Sequence, residues 1–166
     1  DLEKVDTYAP PLTSIWNENR TQQYDNSSRP DSFDTSVPRF VEDGEFTVFI
    51  MEIWNNGFDE DEFRIDILER SKSIIQIVDN DTGVVIVEDL GDGTYHTDSI
   101  YRHMTEVLQI RVKPSGDRDD SDQGLVRFEV ASEGNSSKVS EVEFTIQRTF
   151  GVRAEPVFDC DSVPLG

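Results

Sequence analysis

Three stretches decide the fold: Thr105-Glu-Val-Leu-Gln-Ile-Arg-Val-Lys113, Gly124-Leu-Val-Arg-Phe-Glu-Val-Ala131 and Glu141-Val-Glu-Phe-Thr-Ile-Gln-Arg-Thr149. In each, apolar and polar residues alternate. Leu108, Ile110 and Val112 oppose Gln109 and Arg111, Val126, Phe128 and Val130 oppose Arg127 and Glu129, and Val142, Phe144 and Ile146 oppose Glu143, Thr145 and Gln147. A period of two marks a strand with one buried and one solvated face. Short apolar runs broken by turn residues recur upstream at 45–54, 62–68, 74–78 and 84–88, and in the second of these Phe63, Ile65 and Ile67 oppose Arg64 and Asp66. Seven such runs within 40–150, with no helical period competing, predict an all-β, seven-stranded immunoglobulin-like antiparallel sandwich. Its expected core is Phe63, Ile65, Ile67, Leu108, Ile110, Val112, Val126, Phe128, Val130, Phe144 and Ile146.

The flanks read differently. Residues 1–39 hold Tyr8-Ala-Pro-Pro-Leu12 and then a stretch rich in Asn, Gln, Ser, Asp, Arg and Pro with no sustained period, which predicts an irregular arm or linker. Its scattered Tyr8, Leu12, Ile15, Trp16, Tyr24 and Phe33 suit docking on the body or on a neighbour. Residues 151–166 read as a C-terminal tail or linker.

Composition narrows the partners. Fifteen basic residues face 35 acidic ones, a net charge of −20, so a broad nucleic-acid or anionic-membrane surface would be repelled. Hydrophobic residues at 35%, with ten Phe, suit a folded chain. No apolar run approaches the roughly 18 residues of a spanning helix, so membrane insertion is not expected, and the start lacks a signal-peptide pattern, as for a mature protein or an excised piece. The one cysteine, Cys160, has no internal disulfide partner. Asn-x-Ser/Thr sequons at Asn19, Asn26, Asn80 and Asn135 all fall in polar, turn-rich stretches and favour an extracellular or cell-surface location.

A family resemblance rests on Gly44-Glu-Phe-Thr-Val-Phe-Ile-Met-Glu-Ile-Trp-Asn-Asn-Gly57, followed by Asp61-Glu-Phe-Arg-Ile-Asp-Ile67 and by the three later runs. This order of strand, Asn-x-Gly turn, acidic residue, Phe and strand resembles bacterial and archaeal immunoglobulin-like surface modules of the α-galactosidase-associated and cell-adhesion-related types. It covers about 40–150 and departs at 89–104, where Gly91-Asp-Gly-Thr-Tyr-His-Thr97 replaces a short connector. The resemblance implies spacers, lattice pieces or adhesive units without catalytic residues. The Asp-rich, Lys-poor balance also resembles that of proteins from halophiles.

Few residues suggest reaction chemistry. His96 and His103 flank Asp98 as a sparse candidate for a transition metal, and the more usual reading is solvated loop residues. Asp-x-Asp-x-Gly occurs at Asp79, Asp81, Gly83 and at Asp120, Asp122, Gly124, the second after Asp117 and Asp119. Alternating carboxylates before a glycine suit calcium, the candidate cofactor, and equally suit hairpin turns. If every connection reverses the chain, loops 55–61, 79–83 and 114–123 gather at one end as an acidic pole. The arm then enters at the other end. Trp16, Arg20, Tyr24, Arg29 and Arg39 are accordingly expected to reach the acidic pole of the next copy, in a non-enzymatic surface-layer, pilus-like or adhesin module whose partners are copies of itself or neighbouring surface domains. The alternative is a carbohydrate- or cell-binding accessory module of a secreted enzyme. That reading needs exposed aromatics, for which Trp16, Trp54, Tyr95 and Tyr101 are candidates, although Trp54 at a strand end reads better as core.

Overall fold

A computed structural model describes residues 6–90, 94–115 and 123–150. The chain is all-β, with strands β1 (Leu12–Asn17), β2 (Gln23–Asn26), β3 (Pro38–Glu42), β4 (Thr47–Trp54), β5 (Phe63–Glu69), β6 (Ser73–Asp79), β7 (Val85–Val87), β8 (Thr94–His96), β9 (Thr105–Pro114), β10 (Gln123–Ser132) and β11 (Val139–Thr149). All seven expected runs are strands. They form two sheets, ordered β2-β1-β4-β9-β6-β7 and β3-β11-β10-β5-β8. The central order β1-β4-β9-β6 facing β11-β10-β5 is that of the constant-type immunoglobulin sandwich, ABED over GFC.

Burial follows the alternation. Every expected core side chain is at most 2% exposed except Ile67, which is partly buried at the margin, and Phe49 stacks on Phe144 across the layers at 4.3 Å between centroids.

The N-terminal region departs from the expected irregular arm. β1 pairs along its whole length with β4, and Ile15 is fully buried in the core. β2 extends the sheet from the other edge of β1. A bulge there lets the consecutive Tyr24 and Asp25 both turn inward, Tyr24 edge-on to Phe49 at 6.0 Å and Asp25 Oδ2 accepting the Glu143 N–H at 2.9 Å. β3 runs parallel to β11, so the sandwich is mixed rather than purely antiparallel. The β3–β11 ladder is closed by a buried Arg148 guanidinium on Asp43 Oδ1 at 2.5 Å.

β8 corrects the expected grouping of loops. It lies inside the 89–104 connector and pairs with β5, so the chain crosses the sandwich once more than expected and every later loop changes ends. Loops 55–62, 80–84, 97–104 and 133–138 share one end, called here the Asn55 pole. The flanks of the second acidic loop sit at the opposite, Lys72 pole, where the Ser115 N–H bonds the Lys72 carbonyl at 2.9 Å. Gly124 presses so closely on Ser71 there that an added Cβ would lie 2.0 Å from its Oγ. Residues 6–11 lie at the Asn55 pole, with the Phe58 N–H on the Thr7 carbonyl at 2.8 Å. β11 ends at the Lys72 pole beside Asp43, and the N-terminal residues, expected at the end away from loops 55–61 and 79–83, lie beside them instead.

Candidate functional site

Two surfaces stand out. The first is the Asn55 pole, which is held by buried polar side chains. Asn55, 1% exposed, donates through Nδ2 to the carbonyls of Asp59 and Ile100 and accepts the Gly57 N–H at Oδ1, tying loop 55–62 to loop 97–104. Asp61, 5% exposed, accepts from the Ser132 hydroxyl and from the Gly134 N–H at 3.0 Å, which adds loop 133–138. Buried polar groups satisfied in this way fix a loop as firmly as a strand. This frame presents Phe58, Tyr101 and Met104 to solvent at 65%, 60% and 58% exposure. His103, in the left-handed region at φ 62°, lies 5.9 Å from the Phe58 ring and 5.8 Å from the Trp54 ring. Asp59, Glu60, Asp79, Asp81 and Asp98 lie on the loops and strand end of the same pole and make it acidic.

The second surface is a groove of about 260 Å³ on the outer face of the β2-β1-β4 strands, between Trp16 and Trp54. The register puts Asn26, Ser14 and Glu52 in one row across the three strands. Trp16 lies in the neighbouring row beside Gln23 and Ile50, and Trp54 in the row on the other side, opposite Leu12. Trp54 is therefore outside the core, because it shares a strand face with Glu52 and not with Ile53. The Trp16 Nε1–H bonds Ser14 Oγ at 2.8 Å, which folds its indole toward the polar row. Of the other aromatic candidates, Tyr95 packs against the core and Tyr101 belongs to the exposed patch at the Asn55 pole.

The remaining expected residues are spread out. Asp79 begins a hairpin turn, its Oδ1 accepting the N–H groups of Asp81 and Thr82 at 2.8 and 2.9 Å, with Gly83 at φ 73° completing the turn. Those amides, Thr82 first, hold the Asp79 carboxyl below the usual carboxylate range. Asp117, Asp119, Asp120 and Asp122 lie outside the described residues, as does Cys160. The described residues that flank these aspartates, Ser115 and Gln123, lie at the pole opposite Asp79. Among the described residues no three His, Cys, Asp or Glu side chains gather around one point, and His96 pairs with Glu133 at 3.2 Å, away from His103.

The residues expected to grip a neighbouring copy are engaged at home. Arg20 bonds Glu52 at 2.5 Å, Arg29 bonds Gln23 at 3.0 Å, and Arg39 lies over the Tyr24 ring at 4.0 Å. Sequence reading passed over Phe58 and Met104, although an apolar residue that follows a glycine turn and precedes acidic residues, as in Gly57-Phe-Asp-Glu60, is a signal of an exposed contact.

Glu106 shares a strand face with Leu108 at the rim of the core, and burial, then Asp98, Asp79 and Asp81, raises its pKa. A carboxyl raised on folding contributes stability below its unfolded pKa and loses it as pH rises through the folded one. Glu106→Gln is therefore expected to melt higher than the parent at neutral pH, with the gap closing as pH falls through that value. Equal melting temperatures at pH 7 would show that the charge is well accommodated.

No family model matches the chain, and no curated protein matches it. Among solved structures, a CARDB domain from Pyrococcus furiosus is 10% identical over 89% of this chain and 100% of its own, with a TM-score of 0.43. A PapD-like domain of human CEP192 is 14% identical over 93% of this chain and 96% of its own, with a TM-score of 0.42. The chain is an immunoglobulin-like β-sandwich on the strength of its own strand order and ladders.

Proposed function

We propose that this chain is a non-enzymatic structural module of an extracellular surface assembly, and that it meets a second copy of itself or a neighbouring domain through the Asn55 pole. The observation that carries this reading is the exposed Phe58, Tyr101 and Met104 cluster on a hydrogen-bonded frame. Large side chains held out by rigid loops need no reordering on contact, which lowers the penalty of association. The opposite pole carries Lys72 and an Arg70 already paired with Asp89, beside the flanks of the second acidic loop, so a head-to-tail contact draws on the apolar cluster rather than on opposite net charges. Filament, layer and adhesin are all built from such contacts.

Sedimentation velocity tests the reading. The parent is expected to self-associate at high protein concentration, and Phe58→Ser with Met104→Ser to remain monomeric while melting within a few degrees of the parent. Association undiminished in that variant, or a parent that stays monomeric throughout, would overturn it. The alternative of a carbohydrate-binding accessory module is favoured by one observation, the two-tryptophan groove.

A further inference from the structure

Asn26 belongs to a sequon, and both it and Ser28 line the groove between Trp16 and Trp54. Its Oδ1 accepts the backbone N–H of Ser28 at 2.9 Å and the Ser28 hydroxyl at 2.6 Å. A backbone N–H can only donate, so these bonds fix which amide atom is oxygen and leave Nδ2 without a hydrogen-bond partner among the described residues.

The other sequons differ. Asn135 has the same hydroxyl contact, but its Nδ2 donates to Asp6 Oδ2 at 2.6 Å. At Asn80, the Thr82 hydroxyl accepts the Val84 N–H, and Asn80 Oδ1 takes a long bond of 3.5 Å from Gln109. Asn19 accepts from the Thr21 hydroxyl at 2.7 Å with no backbone bond to set its amide, and it does not border the tryptophans.

We propose that Asn26 carries an N-linked glycan whose first sugars lie in this groove, their apolar ring faces against Trp16 and Trp54 and their hydroxyls on the polar row of Ser14 and Glu52. The inference rests on the extracellular reading above. In the modification the Asn26 Nδ2 loses one proton and bonds the anomeric carbon of a saccharide activated as a lipid pyrophosphate, whose carbon–oxygen bond breaks as the pyrophosphate leaves.

The geometry suits a sugar. Trp16 and Trp54 lie four residues apart in register, roughly 13 Å between backbones, with the polar row midway. Indole presents a broad apolar face together with an N–H donor, the surface that suits a ring apolar on its faces and polar on its rim. Size decides the source of that sugar. At about 260 Å³ the groove falls below the roughly 300–1,000 Å³ of a self-sufficient small-molecule site. A tethered sugar is held at an effective concentration in the millimolar range, so weak contacts are enough to seat it.

The chain has two tryptophans, and both border the groove, so tryptophan-selective fluorescence reports on it, with Trp54 also 5.8 Å from the His103 ring at the Asn55 pole. The test expresses the full chain in a secreting eukaryotic host, maps sequon occupancy by peptide mass spectrometry, and measures acrylamide quenching before and after release of the glycans by a peptide-N-glycosidase. Asn26 is expected to be occupied, and release to raise the quenching constant about twofold as the indole faces return to solvent. Ser28→Ala, which removes only the Asn26 sequon, is expected to start at the higher value and not respond to release. Asn26 found unmodified, or quenching unchanged by release from an occupied Asn26, overturns the proposal. In a parallel arm, unglycosylated protein is titrated with free N,N′-diacetylchitobiose. Protection of the tryptophans at micromolar sugar would assign the groove to an external saccharide and overturn the tethered one, whereas no protection below millimolar sugar supports it. Quenching is read at a concentration where the parent is monomeric, so self-association through the Asn55 pole does not enter it and the two readings fail separately.

Discussion

A chain lacking residues 1–26 is expected not to fold. Removing β1 and β2 strips the six-residue ladder from β4, a strand at the centre of the first sheet, and takes Ile15 and Tyr24 from the core side. It also removes the Asp25 carboxylate that holds the Glu143 N–H on the partly uncovered edge of β11. Truncating a fully buried aliphatic such as Ile15 to Ala alone costs about 2–5 kcal/mol, against a total of about 5–15 kcal/mol for an ordinary domain. Loss of the whole strand exceeds that margin. The check is a thermal melt followed by near-ultraviolet circular dichroism, with Ile15→Ala beside the deletion. The point variant should melt cooperatively at a lower temperature, and the deletion should show no transition. A deletion that melts like the parent would return residues 1–26 to the status of an arm.

Phe128→Ala is expected to lower stability by about 3–5 kcal/mol. Phe128 sits in the middle of β10 with no exposed surface, flanked by Val142 on β11 and Ile67 on β5. Ladders on both sides limit how far the strands can collapse into the space left by the ring, so the loss should lie toward the top of that range. For a domain of this size it corresponds to a fall in melting temperature of roughly 6–20 °C. A fall of only a degree or two would mean that the core closes around the gap.

What the sequence disclosed follows from how evenly its faces are divided. Where one face is apolar and the other charged, as in Leu108 to Val112 or Val126 to Val130, strand and burial are both readable and both are found. β1 hides because its two faces look alike. Inward Thr13 and Ile15 are matched by outward Leu12 and Trp16, and no period survives. In β2 the bulge breaks the alternation, and the buried Asp25 is satisfied by a backbone group more than a hundred residues away, which no local pattern announces. β8 has only three residues between loops, yet leaving it out of the count puts Ser115 and Gln123, the flanks of the second acidic loop, at the opposite pole from where they lie, since an inference from parity fails completely on one uncounted strand. The candidate sites were legible in part. The tryptophans and the Asn26 sequon could be named from residue types, whereas their meeting in one groove depends on a register that only the folded β2-β1-β4 strands supply.

The parallel pairing of β3 with β11 bears on how the protein is made. Pro38 to Glu42 dock against Thr145 to Thr149, a partner that leaves the ribosome about a hundred residues later. At roughly 5–20 residues per second, that is a wait of about 5–20 s. Throughout it Val41, buried in the finished sandwich, has no strand to lie beside. β4, already emerged, likewise waits for β9 to cover its other edge. The sandwich therefore closes only after synthesis of its last strand, and in the meantime the mutual repulsion of its many carboxylates works against those open edges pairing with other chains.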